Sequence, residues 1–154
     1  MRTGIAAILC LLLTPQALAA SLPDVIDRVR PSIVGVGTVY PPRQPNLKGT
    51  PVSYLATGFV VGNGLQVVTN AHAIPTKLDL DNKEQVAVFV GRGAEAQARI
   101  AKIVHSDAIH DLALLEIDGT PLPALQLGDA DTVREGQEVA FTGFPIGVVL
   151  GLYP

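Results

Sequence analysis

An Asn-Gly pair set between two β-branched runs leaves a chain little choice of local structure, and residues 58–74, GFVVGNGLQVVTNAHAI, contain one. Phe59-Val60-Val61 and Leu65-Gln66-Val67-Val68 flank Asn63-Gly64. A tight turn needs backbone torsions that Asn and Gly tolerate, so the segment reads as a β-hairpin. Its second arm runs into Thr69-Asn70-Ala71-His72-Ala73. A histidine among small residues at a strand end is reachable, and its imidazole can take and return a proton near neutral pH. On these residues alone His72 reads equally well as a packing or capping residue.

The hairpin sits in a chain of mostly β character. Residues 33–40 (IVGVGTVY) and 85–91 (QVAVFVG) read as strands, as do 137–143 (QEVAFTG). Residues 112–117 (LALLEI) form a nearly continuous apolar run that suits a strand buried on both faces. Residues 96–105 (AQARIAKIVH) alternate as a strand does, although their alanines also allow a helix. The proline-rich stretch 41–52 reads as an exposed, mobile loop, and Gly91-Arg92-Gly93 as a turn. Helical spacing is clear only where Leu22, Val25, Ile26 and Val29 share a face ahead of Pro31. Short strands with Gly and Pro turns predict an all-β fold, a barrel or sandwich, in place of alternating β/α units.

At 154 residues the chain holds one ordinary domain, and 48% apolar with 16% charged residues makes it globular. A net charge of −3 with no polybasic run argues against nucleic acid or an anionic membrane surface as partner. Residues 1–20 read as a secretory signal. The apolar run 5–13 is too short to span a bilayer, and Ala17-Leu18-Ala19 supplies the small residues of a cleavage site. The single cysteine, Cys10, leaves with that leader, so disulfides and thiolate metal sites are excluded from the mature chain. An uncleaved membrane anchor is the competing reading of the leader; after cleavage no membrane association is expected.

A second candidate for chemistry is Asp111, directly ahead of the apolar 112–117 run. A carboxylate entering a core is costly unless paired, and an imidazole N–H would serve. If both strands share one small barrel, Asp111 accepts from Nδ1 of His72 and leaves Nε2 free as a general base toward a hydroxyl. The bland alternative is that Asp111 caps a turn or forms a surface pair. A metal site from His72, His105, His110 and Asp111 is disfavoured, because His105 and His110 lack the spacing that would converge them on His72 and read as solvated strand ends. No cofactor is implied.

These segments together resemble the trypsin-like serine endopeptidases, in particular the HtrA (Deg-type) branch. Thr69-Asn70-Ala71-His72-Ala73 is similar to the family's T-(A/N)-x-H motif, preceded by a G-F-(I/V) strand at Gly58-Phe59-Val60. Asp111-Leu112-Ala113-Leu114-Leu115 is similar to its D-L-A-(L/V)-L segment. Leu127-Gly128-Asp129-Ala130-Asp131, Arg134-Glu135-Gly136 and Gly143-Phe144-Pro145-Ile146-Gly147 resemble its later landmarks. The resemblance implies a chymotrypsin-like double β-barrel and peptide-bond hydrolysis by a Ser-His-Asp triad, with His72 as base and Asp111 as its orienter. Protein or peptide substrates and a periplasmic or secreted location follow from it.

The implied division is a signal at 1–20, a short helix at 21–31, a first barrel at 32–126 and the start of a second at 127–154. The nucleophile is not matched. The serines are Ser21, Ser32, Ser53 and Ser106, none followed by Gly-Gly. The expectation is therefore a chain truncated before its nucleophile and oxyanion loop, inactive and poorly soluble alone. A secreted non-catalytic binding module on the same barrel is the alternative.

Overall fold

Ser21, where the described residues begin, caps a helix. Its hydroxyl meets the Asp24 carboxylate at 2.6 Å, and each side chain accepts from the other residue's backbone N–H, a reciprocal capping box. The helix α1 (Leu22–Val29) follows, and Pro31 turns the chain through Arg30–Ser32 into the first strand. The structure is a computed structural model that describes residues 21–41, 52–92 and 95–144. The leader with Cys10, most of the proline-rich loop, Gly93 of the predicted turn, and Pro145, Ile146 and Gly147 of the last landmark lie outside the described residues.

Six strands close into one antiparallel barrel: β1 (Ile33–Val39), β2 (Val52–Val61), β3 (Gln66–Thr69), β4 (Gln85–Val90), β5 (Gln97–Asp107) and β6 (Leu112–Ile117). Their order around the barrel is β1-β2-β3-β6-β5-β4. Two non-sequential pairings, β3 with β6 and β1 with β4, join the hairpins and leave no free edge in the ring. The interior is filled by Val34, Val36, Val60, Val67, Val88, Leu115 and Ile117. Gly58 lets these strands approach: a Cβ there would lie 2.8 Å from methyl groups of both Val36 and Val67. A second cluster of Ile33, Val39, Ala87, Phe89 and Phe144 covers the outer side of β1 and β4, which is why every residue of β1 is buried.

The predicted hairpin is β2–β3. Val61 pairs with Gln66, so the loop has four residues, and Gly62 and Gly64 both take positive φ. The Asn63 carboxamide oxygen accepts the Leu65 N–H at 3.0 Å. The ambiguous 96–105 segment is strand β5, with a bulge between Ile103 and His105. Three expectations are corrected. β2 begins at Val52, well before the arm read from the sequence, because pairing with β1 extends it. β6 is not buried on both faces: Ala113, Leu115 and Ile117 point inward, while Leu112 and Glu116 are exposed. Residues 137–143 form no strand, since no described strand offers them a pairing edge, and Val139 and Phe141 lie open to solvent. Among the described residues no helix is long and apolar enough to cross a membrane.

The loop between β3 and β4 is tied down by Glu84. One carboxylate oxygen accepts the hydroxyl of buried Thr38 on β1 at 2.6 Å, the other the backbone N–H of Asp79 at 2.8 Å. The Asp79 N–H, then the Thr38 hydroxyl, hold the Glu84 carboxyl below its ordinary range. The stabilisation is thus complete above that range and is lost as pH falls through the depressed value. Glu84→Ala is expected to lower unfolding free energy by about 1–2 kcal/mol at neutral pH, with a smaller gap from the parent protein in acid. Urea melts at the two pH values check both the loss and its narrowing.

Candidate active site

The site forms where β3 and β6 end side by side. Their register pairs Thr69 with Ala113, so the residues just past β3 lie against those just before β6. Thr69 is buried, and its hydroxyl donates to the Thr57 carbonyl at 2.9 Å, anchoring the end of β3 to β2. The Thr57 hydroxyl in turn accepts the Phe144 N–H at 2.8 Å, which draws the later Gly143-Phe144 segment onto the barrel. Asn70 is extended, and a single 3-10 turn, Ala71–Ala73, then swings His72 outward.

Asp111 meets that turn from the other side. It takes φ 54°, in the left-handed region that aspartate tolerates better than most side chains. Its carbonyl accepts the Ala71 N–H at 3.2 Å, and its Oδ1 accepts the His72 backbone N–H at 2.9 Å. Its Oδ2 lies 2.6 Å from Nδ1 of the His72 ring. The His72 backbone N–H, then the ring, hold the Asp111 carboxyl below its ordinary value, so it is a carboxylate at neutral pH.

The two residues are 39 positions apart in sequence, and the sheet register alone brings them together. The reason for the pairing differs from the expectation. The Asp111 side chain is 40% exposed, so preorganised donors rather than deep burial explain it. With Nδ1 facing the carboxylate, the other ring nitrogen, Nε2, is the one left to exchange protons with a ligand. The ring is 76% exposed and, among the described residues, hydrogen-bonds no hydroxyl. A hollow flanked by His72, Ile74, Pro75, Ile103, Ser106 and Asp111 opens beside it.

The turn that delivers Asp111 has its own clasp, which the sequence reading missed. Asp107 Oδ1 accepts the N–H groups of Ile109 and His110 at 2.9 and 3.1 Å, and Oδ2 lies 2.7 Å from the His110 ring Nδ1. The His110 side chain, then its backbone N–H, hold the Asp107 carboxyl below its ordinary value. His110, 71% exposed, is engaged with Asp107 in the turn ahead of β6, and His105 is exposed near the end of β5, paired opposite Leu114; both are solvated, and neither meets His72. The available signal was the Asp four residues before Asp111, a spacing that closes one turn. Among the described residues no group of three or more His, Cys, Asp or Glu is placed to hold a metal ion.

The chain thus closes an antiparallel barrel that carries a His–Asp pair at the ends of adjacent strands, and the model of the trypsin-like peptidase domain matches residues 56–151. The chain belongs to that family. Its relatives place it in the HtrA branch. A protein of Halomonas elongata named "Probable periplasmic serine endoprotease DegP-like" is 32% identical over 94 residues, 61% of this chain and 18% of the relative. One of the same name from Pseudomonas fluorescens is 27% identical over 181 aligned residues, covering 94% and 36%. Serine protease HTR4 of Bos taurus is 32% identical over 127 residues, covering 81% and 24%. Among solved structures, an HtrA-type protease AlgW with decapeptide superimposes with a TM-score of 0.56 at 26% identity, covering 76% of this chain and 39% of that one. The chain thus spans between about a fifth and somewhat over a third of these relatives' lengths.

Proposed function

We propose that His72 and Asp111 are the general base and its orienter in a Ser-His-Asp serine endopeptidase of the HtrA type, exported to the periplasm and acting on protein or peptide substrates. The observation that carries this reading is the 2.6 Å approach of Asp111 Oδ2 to His72 Nδ1, with Oδ1 taking the backbone N–H of the same histidine. Asp111 stabilises the tautomer protonated at Nδ1. The Nε2 lone pair then takes a proton from an attacking hydroxyl and returns it to the leaving amine. A non-catalytic binding barrel has no use for a solvent-facing imidazole so held.

Residues 1–20 act as the export signal in this reading, supported by their short apolar run and by the periplasmic names of the relatives. None of the four serines precedes Gly-Gly. The 154-residue chain accordingly supplies the base side of the site and does not hydrolyse peptides by itself. Purified alone, it is expected to leave a fluorogenic peptide uncut. Extended with a second barrel carrying a Gly-x-Ser-Gly-Gly segment, it should gain activity, and His72→Ala should then reduce kcat by at least about 10⁴-fold. Full activity in the His72→Ala protein would overturn the role assigned to this residue.

A further inference from the structure

The Asp111 carboxylate has a third donor besides the two from His72. The Asn70 side-chain Nδ2 lies 3.0 Å from Asp111 Oδ2 and 3.3 Å from the Asp111 carbonyl oxygen. Both partners only accept, so the carboxamide must present its NH2 end, and the alternative orientation would set oxygen against oxygen. One amide thereby bridges the backbone and the carboxylate of a single residue, spanning the side-chain torsions that aim Oδ2. The need for such a brace is visible. Asp111 is 40% exposed, so water competes for its oxygens, and the ring that shares Oδ2 is itself solvent-facing. Among the described residues, the one donor to the carboxylate besides the ring and Asn70 is the His72 backbone N–H, on Oδ1.

We propose that Asn70 is a positioning residue, whose side-chain amide locks the Asp111 carboxylate in the rotamer that presents Oδ2 to the His72 ring. Asn70 occupies the second position of the Thr-Asn-Ala-His run. It is extended and exposed, and its side chain caps no helix end. Among the described residues, both hydrogen bonds that its side chain donates go to Asp111. The lock itself stands without the protease reading; only its consequence for rate rests on that reading.

The test is histidine-detected ¹⁵N NMR on the full chain, with Asn70→Ala, which deletes the donor, and Asn70→Asp, which keeps the shape but cannot donate. In the parent protein the His72 Nδ1–H should appear as a single protected signal. In Asn70→Ala its exchange with water should accelerate about ten-fold, and Asp111 should titrate closer to the ordinary carboxylate range. Asn70→Asp should move both further, through like charge. The His110 Nδ1–H, held by Asp107, should stay unchanged in both variants and report that the fold is intact.

An unchanged His72 signal and Asp111 titration in both variants would overturn the proposal. So would parallel loss of the His110 signal, because that marks a role in the fold. In the protein extended with a nucleophile loop, Asn70→Ala should lower kcat about ten-fold with KM within about two-fold. If the NMR response appears and the extended protein hydrolyses nothing, the lock stands and the protease reading fails.

Discussion

Asparagine in place of Asp111 is expected to reduce kcat about 10⁴-fold in the protein extended with a nucleophile loop, while leaving the barrel folded. The substitution preserves size, and the His72 backbone N–H, 2.9 Å from Oδ1, still finds a carbonyl oxygen there. The other arm becomes an NH2 facing Nδ1 of the ring, where a carboxylate oxygen now lies at 2.6 Å. A donor at that position selects the tautomer with its lone pair on Nδ1 and its proton on Nε2, so the nitrogen that must accept a hydroxyl proton already carries one. The same NH2 also confronts the Asn70 amide, now 3.0 Å from Oδ2. Steady-state kinetics on a peptide substrate reads the rate, and ¹⁵N shifts of the His72 ring read the tautomer. Activity within ten-fold of the parent protein would remove Asp111 from the mechanism.

The second large effect is on the barrel. Leu115 lies at the centre of β6, fully buried among the valines of the interior, and Leu115→Ala is expected to cost about 2–5 kcal/mol. A small barrel filled mostly by β-branched side chains has few long residues able to swing into the space left behind, which favours the upper part of that range. Leu112, on the same strand, is 49% exposed, and Leu112→Ala should cost less than about 1 kcal/mol. Folding free energies from urea denaturation of the two variants give the comparison. Equal losses at both positions would contradict the inward alternation of Ala113, Leu115 and Ile117.

That pair of leucines also marks how far the residues could be read directly. Alternation is a property of side chains two apart, and it is legible where outward positions are polar. In β6 the outward Leu112 and the half-buried Leu114 masked it, so the run looked buried on both faces. Residues 137–143 failed in the opposite way. They alternate as a strand does, yet pairing is a property of the partner edge, and no described strand supplies one. The turn-borne features were easier. Asn63-Gly64 marked the hairpin, and the spacing of Leu22, Val25, Ile26 and Val29 ahead of Pro31 marked α1, because both depend on residues a few positions apart.

The site divides along the same line. The sequence by itself determined the hairpin, the N-terminal helix and most of the strands, the candidates His72 and Asp111, and, through its resemblance to a known family, the chemistry expected of them. Those rest on local periodicity, turn residues and short motifs, which a linear reading contains. Only the tertiary structure decided that β3 pairs with β6, that the His72 ring therefore meets Asp111 across 39 residues, and that Asn70 and Asp107 brace the carboxylate and its turn. Register between strands distant in sequence is settled when the barrel closes and its interior packs. The donors that aim Asp111 therefore exist only once that closure has been made.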